Sequence, residues 1–196
     1  MDKKYILNSY SFEKLSEKYD LSKFDCGSSD LNDFIKNDAL KQQKDNLNIT
    51  RLIICDNEII GFFSLLADTI KINRIRDEIT VKSIKEQKPR VKQLPAVKIG
   101  RFGISTKYTN QGIGSHILRN VLYNIKIISQ DIGLRFIIVE GYAKAYNFYV
   151  KYNSFNNLKK DDEILEKLER IIKTNPNHTF YLYRDINTLN PSINEN

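Results

Sequence analysis

Apolar positions along the chain change period several times, and each change marks an element. Tyr5 to Tyr10 reads as strand-like, and Ser11 to Tyr19 as a short capped helix. Leu31, Phe34, Ile35 and Ala39 then recur at helical spacing and predict a helix to about Gln43. Ser28 or Ser29 can cap it, and Asp30 and Asp33 sit in its first turn, where the helix dipole favours negative charge. Thr50 to Asp56 and Ile59 to Ala67 are apolar, β-rich runs that flank Asn57-Glu58 and predict an antiparallel hairpin. Lys71 to Gln93 shows no clear period and reads as an irregular basic stretch. Ala96 to Ser105 is a strand softened by glycines in its middle. Ile113, Ile117, Leu118, Val121, Leu122, Ile125 and Ile128 form one stripe of a long helix, with Gly133 as its C-terminal cap. Leu134 to Val139 is a near-continuous apolar run, as in a strand buried on both faces. Strand, helix and strand make a βαβ crossover, so these two strands are expected to be parallel. Ala143 to Tyr152 and Asp162 to Lys173 read as amphipathic helices, and Thr179 to Ile186 as a closing aromatic strand. The sum is an α+β fold with a mixed, mostly antiparallel sheet and flanking helices. One domain is expected over residues 1–187, with a loose tail at 188–196.

At 196 residues, with 41% hydrophobic and 28% charged residues, the chain can bury a core and does not have the make-up of a disordered one. Its formal charge of +7 favours phosphate-bearing partners without naming one. Much of the surplus lies in Lys71 to Gln93, where eight basic residues face three acidic ones. Such a run is either a solvated face or a phosphate-binding edge. Cys26 and Cys55 are the only cysteines and His116 and His178 the only histidines, which excludes a disulfide scaffold and argues against a thiolate or His/Cys metal site. No metal is expected. No apolar run reaches a membrane span, and the opening MDKKYILNSYSF has no signal-like apolar core, so the expected compartment is the cytoplasm.

The chemistry concentrates at Gln111-Gly112-Ile113-Gly114-Ser115, where a strand gives way to the long helix. Glycines there let backbone N–H groups converge, and the helix N-terminus favours an anion such as a phosphate. A tight turn needing small residues would read the same way. No Gly-Lys-Ser/Thr follows, which excludes a P-loop. Ile117 stands where a dinucleotide fingerprint needs its third glycine, and antiparallel strands before the turn do not suit such a sheet.

These residues resemble the GNAT superfamily of acetyl-CoA-dependent N-acetyltransferases, from about Lys4 to Ile186. Gly112 and Gly114 match the family's phosphate turn, while Thr109 stands at its Arg/Gln place, a contact that Gln111 could replace. Ala145-Tyr146-Asn147-Phe148-Tyr149 matches its Ala-x-x-Phe-Tyr, and Ser154-Phe155 stands for its later Gly-Phe, displaced by one residue. The resemblance implies splayed central strands and a pantetheine arm bonded by the backbone of Phe102, Gly103 and Ile104. It implies a pyrophosphate held by amides of Gln111, Gly112, Ile113, Gly114 and Ser115. Tyr149 would then be the general acid that protonates the departing thiolate, a role its high reference pKa suits. Without the resemblance, the spacing of Phe148 and Tyr149 reads as an aromatic pair packing a helix onto the sheet.

A narrower likeness is to the GNAT toxins of toxin–antitoxin pairs, which acetylate aminoacyl-tRNA. It rests on Phe24, Cys26, Leu31, Asn32 and Phe34, and on Leu94-Pro95-Ala96 through Gly100-Arg101-Phe102-Gly103-Ile104. It implies acetyl-CoA, tRNA, an antitoxin and a second copy of the chain as partners, with Arg51, Arg74, Arg76, Lys85 and Arg101 meeting tRNA phosphate. A housekeeping N-acetyltransferase of a small amine or protein N-terminus, and a non-catalytic CoA- or RNA-binding protein, are the alternatives. Glu140, at the end of the buried strand, reads as a proton relay or as an ordinary strand-end carboxylate. Cys26 and Cys55 read as small core residues, and His116 as solvated.

Overall fold

The computed structural model describes residues 1–161, 165–175 and 177–189. Seven strands form one sheet in the order β1-β2-β3-β4-β5-β7-β6. They are β1 (Ser11–Lys14), β2 (Ile49–Cys55), β3 (Glu58–Lys71), β4 (Gln93–Ile104), β5 (Phe136–Tyr142), β6 (Asn156–Asn157) and β7 (Thr179–Asp185). The sheet is mostly antiparallel with one parallel pair, the α+β arrangement expected. β4 and β5, adjacent and joined through helix α5 (Ile113–Ile128), are that pair. The chain forms two compact units, residues 1–66 with 99–118 and residues 67–98 with 119–196.

In the first unit, the opening segment is not a strand but helix α1 (Lys3–Ser9). Asp2 caps it by accepting from Tyr5 N at 2.9 Å, and Ile6 is fully buried. The following segment is β1 rather than a helix, because pairing with β2 sets Phe12 opposite Ile53. The helix expected from Ser28 onward runs as α2 (Ser29–Asp33), a π turn (Phe34–Asp38) and α3 (Ala39–Lys44). Ser28 is its N-cap residue, although its side chain makes no capping bond. The wide turn buries Phe34 and Ile35 in succession. Phe24 and Phe34 pack on Phe62, with ring centroids 5.7 and 6.1 Å away. The hairpin turns on Asp56-Asn57, one residue earlier than expected, both with positive φ (48° and 62°), as a tight hairpin turn requires.

In the second unit the stretch after Lys71 is not wholly irregular. Asp77 accepts from Ile79 N and Thr80 N and so starts α4 (Glu78–Gln87). Its Val81 and Ile84 pack against a core that includes Ile70, Leu94, Phe136, Ile138 and Tyr183. Helix α5 ends by Ile128 in a short turn, where Asp131 N donates to Ile128 O at 3.1 Å. Gly133 is therefore not its cap. Helix α6 (Tyr146–Asn153) follows a single 3₁₀ turn at Ala143–Ala145. Of the helix expected at Asp162 to Lys173, residues 162–164 lie outside the described residues, and α7 (Leu168–Thr174) is observed. Of the tail expected at 188–196, residues 190–196 lie outside them too.

Ser154, which stands for a glycine in the resemblance drawn from the sequence, closes α6 in the left-handed conformation (φ 55°) with its N–H on Tyr149 O. A residue with a Cβ is strained there. Ser154→Gly should therefore raise stability by about 1 kcal/mol or somewhat less, since glycine's own freedom offsets part of the relief. A urea melt checks this, and a lowered midpoint would contradict it.

Candidate functional site

Strand β4 ends at Ile104 beside β3. A Cβ on Gly61 would fall 2.4 Å from Gly103 O, and one on Gly103 would fall 2.9 Å from the Phe62 ring and 3.4 Å from Cys26 Sγ. Only glycine permits this approach at either position. Cys26 is half-buried, with its N–H and Sγ on Asn32 Oδ1 at 3.0 and 3.2 Å. Cys55 is buried, which pushes its thiol up, and neither cysteine forms a disulfide. Among the described residues no cluster of His, Cys, Asp or Glu could hold a metal, and no helix is long and apolar enough to cross a membrane.

Beyond β4, Ser105 N donates to Ile60 O at 2.8 Å and Thr106 N to Asp25 O at 2.9 Å, tying down the loop. Tyr108 is buried beneath it. Burial, with a hydrogen bond to Glu58, pushes its phenol up to about 12. The chain then reverses through two left-handed residues, Asn110 (φ 59°) and Gly112 (φ 77°). At the start of α5, His116 N donates to Gly112 O at 3.2 Å. Helical N–H groups point toward the N-terminus, so those of the first turn of α5 lie at this end. Gly112 itself is exposed, and a Cβ there would meet Lys3 Nζ at 3.5 Å.

This arrangement fits a diphosphate, with backbone donors on a positive dipole end and a glycine where a side chain would crowd the approach. The first unit thus holds all the residues assigned to the coenzyme: Phe102, Gly103, Ile104, Gln111, Gly112, Ile113, Gly114 and Ser115. Gln111 Nε2 donates to Lys107 O at 3.1 Å. His116 is half-buried, edge-on to Tyr10 at 6.0 Å, and not simply solvated.

Tyr149, in the second unit, is only 7% exposed. Its ring lies against Gly141, where a Cβ would fall 2.8 Å away, and packs edge-on to Phe148 and Phe155. Burial alone raises its phenol far above the ordinary value. The packing of the Tyr149 ring on Gly141 is not foreseen from the sequence, where a lone glycine inside an apolar strand is the available sign.

The neighbouring Glu140 is a partnered carboxylate. Its Oε2 accepts from Lys98 Nζ at 2.7 Å and its Oε1 from Thr179 Oγ1 at 3.1 Å, and Tyr181 also hydrogen-bonds to it. Burial pushes its carboxyl up, but the bonds from Lys98, Tyr181 and Thr179 and the Lys98 charge outweigh this and leave it low. Held ionised and paired, Glu140 is a poor base.

The basic residues assigned to nucleic acid divide between the units, with Arg51 and Arg101 in the first and Arg74, Arg76 and Lys85 in the second. Arg51, Arg76 and Lys85 are exposed and Arg74 half-buried. Arg101 lies over Phe34 at 5.3 Å, with its Nε 3.9 Å from Asp30.

No family model matches the chain. In sequence it is 23% identical over 145 residues to a tRNA-acetylating toxin of Mycobacterium tuberculosis (strain ATCC 25618 / H37Rv), a match that spans 71% of this chain and 81% of that protein. In structure it is similar to AtaT complexed with acetyl-methionyl-tRNAfMet, with a TM-score of 0.72, 21% identity and coverage of 92% of this chain and 96% of that one. It is also similar to AtaTR bound with AcCoA, with a TM-score of 0.68, 21% identity and coverage of 93% and 96%. The chain has the fold of these proteins.

Because the folded-state pKa of Glu140 is depressed, its contribution to stability is present above the unfolded value, near 4.5, and is lost as pH falls through the folded value. Urea midpoints of the wild type should therefore fall more steeply on acidification below about pH 4.5 than those of Glu140→Gln. Parallel curves would contradict the pairing.

Proposed function

We propose that this chain, sharing its fold with AtaT, is an N-acetyltransferase that moves an acetyl group from acetyl-CoA to the amino group of an aminoacyl-tRNA. Its setting is the cytoplasm, as the toxin of a pair whose antitoxin restrains it. The observation that carries this reading is the turn at Gly112, whose left-handed backbone opens α5 beside a glycine-lined strand end. The likeness along most of the chain to a tRNA-acetylating toxin supports the choice of acceptor, as does the basic surplus at Lys71 to Gln93.

Acetyl-CoA, when bound, supplies a thioester that an amine can attack and whose sulfur leaves as a thiolate. The backbone at Phe102, Gly103 and Ile104 would hold the pantetheine arm, and amides from Gln111 to Ser115 the diphosphate. Tyr149 is assigned the acid. Its buried phenol stays protonated at neutral pH, so Oη has a proton to give to the departing sulfur and can recover one from the acceptor's ammonium. Glu140 is left out of the proton path, since its oxygens are already engaged. Arg51, Arg74, Arg76, Lys85 and Arg101 are assigned to tRNA phosphates.

Incubation with labelled acetyl-CoA and a charged-tRNA pool tests this. The wild type should label the aminoacyl group. Tyr149→Phe should lose about 100-fold or more in turnover, as expected for loss of a general acid, while keeping its affinity for the coenzyme. Equal rates would remove Tyr149 from the mechanism. Labelling of small amines but not of charged tRNA would overturn the acceptor.

A further inference from the structure

We propose that Lys3 is a coenzyme-binding residue, its ammonium supplying the cation that the α5 turn lacks for the coenzyme's diphosphate. The inference rests on the coenzyme reading above and deepens it. Lys3 Nζ sits 3.5 Å from the point where a Cβ on Gly112 would project. It is therefore beside the backbone whose amides face out of the helix end. An ammonium and a row of N–H dipoles at one spot attract the same doubly charged group.

Three polar side chains of the loop are committed elsewhere. Thr109 Oγ1 donates to Thr106 O at 3.1 Å, Gln111 Nε2 to Lys107 O at 3.1 Å, and the Lys107 ammonium pairs with Glu58 at 2.9 Å. The local cation is thus neutralised, and Lys3 reaches the turn from another element.

The backbone that carries Lys3 is fixed in place. Asp2 caps α1, Tyr5 Oη donates to Asp56 Oδ1 at 2.9 Å, Ile6 is fully buried, and Tyr10 packs edge-on to His116 in the first turn of α5. The first ten residues therefore dock on the start of the helix rather than trailing from it.

The test is calorimetric titration of CoA and of 3′-dephospho-CoA into the full chain, across a salt series, for wild type, Lys3→Gln and Lys3→Arg. Lys3 is exposed, so Lys3→Gln should leave the far-UV circular dichroism unchanged. Lys3→Gln should weaken CoA about tenfold and flatten the salt dependence, whereas Lys3→Arg should stay within about twofold of wild type. The same tenfold loss with 3′-dephospho-CoA assigns the contact to the diphosphate. A loss that disappears with that ligand, or unchanged CoA affinity in Lys3→Gln, overturns the proposal while leaving the coenzyme reading intact. A wild type that binds neither ligand overturns both.

Discussion

The reversal from β4 into α5 is the constraint on which the functional reading depends. A chain leaving a strand must turn sharply to start a helix, and here Asn110 and Gly112 do so with positive φ. Asparagine tolerates that region better than most residues, and glycine enters it without steric cost. The turn sets the N-terminal end of α5, toward which helical N–H groups point, just past the end of β4. A positive helix end of this kind favours an anion. Upstream, Gly61 and Gly103 bring β3 and β4 so close that a Cβ on Gly61 would lie 2.4 Å from a carbonyl oxygen. Glycines thus shape both the strand end and the helix start within one unit.

In the second unit, two adjacent residues of β5 organise two ionisable groups in opposite senses. Glu140 is kept charged by Lys98, Tyr181 and Thr179, and Gly141 accommodates the ring of Tyr149, which burial keeps protonated. Environments that push neighbouring groups apart in this way divide their chemical roles. Here the carboxylate is held in an ion pair and the phenol retains a proton to give. This division favours Tyr149 over Glu140 for proton transfer. Ser154 shows the cost of retaining α6, since a strained left-handed residue closes the helix that presents Tyr149.

Strands β2, β3, β4, β5 and β7 and helix α5 are legible because their apolar residues form clear runs or repeats. The start was misread because YILNSY looks strand-like, while the deciding features are the Asp2 cap and the burial of Ile6. Helix α4 was hidden in a basic stretch because only Val81 and Ile84 turn inward and Ile79 is 83% exposed. Gly133 looked like a cap, yet α5 stops earlier in a turn of its own. The glycine turn of the candidate site was visible as a motif. The places of Lys3, Lys98 and Gly141 are not, since each lies beside a residue that only folding brings near: Gly112, Glu140 and Tyr149 respectively.

The central claim is that backbone amides opening α5 bind a diphosphate. Amide chemical shifts of the ¹⁵N-labelled chain, followed during titration with CoA, test it most directly. The account predicts the largest shifts at Gly112, Ile113, Gly114 and Ser115, with smaller ones at Phe102, Gly103 and Ile104. Saturable binding that leaves the amides of 111–115 unmoved would contradict it.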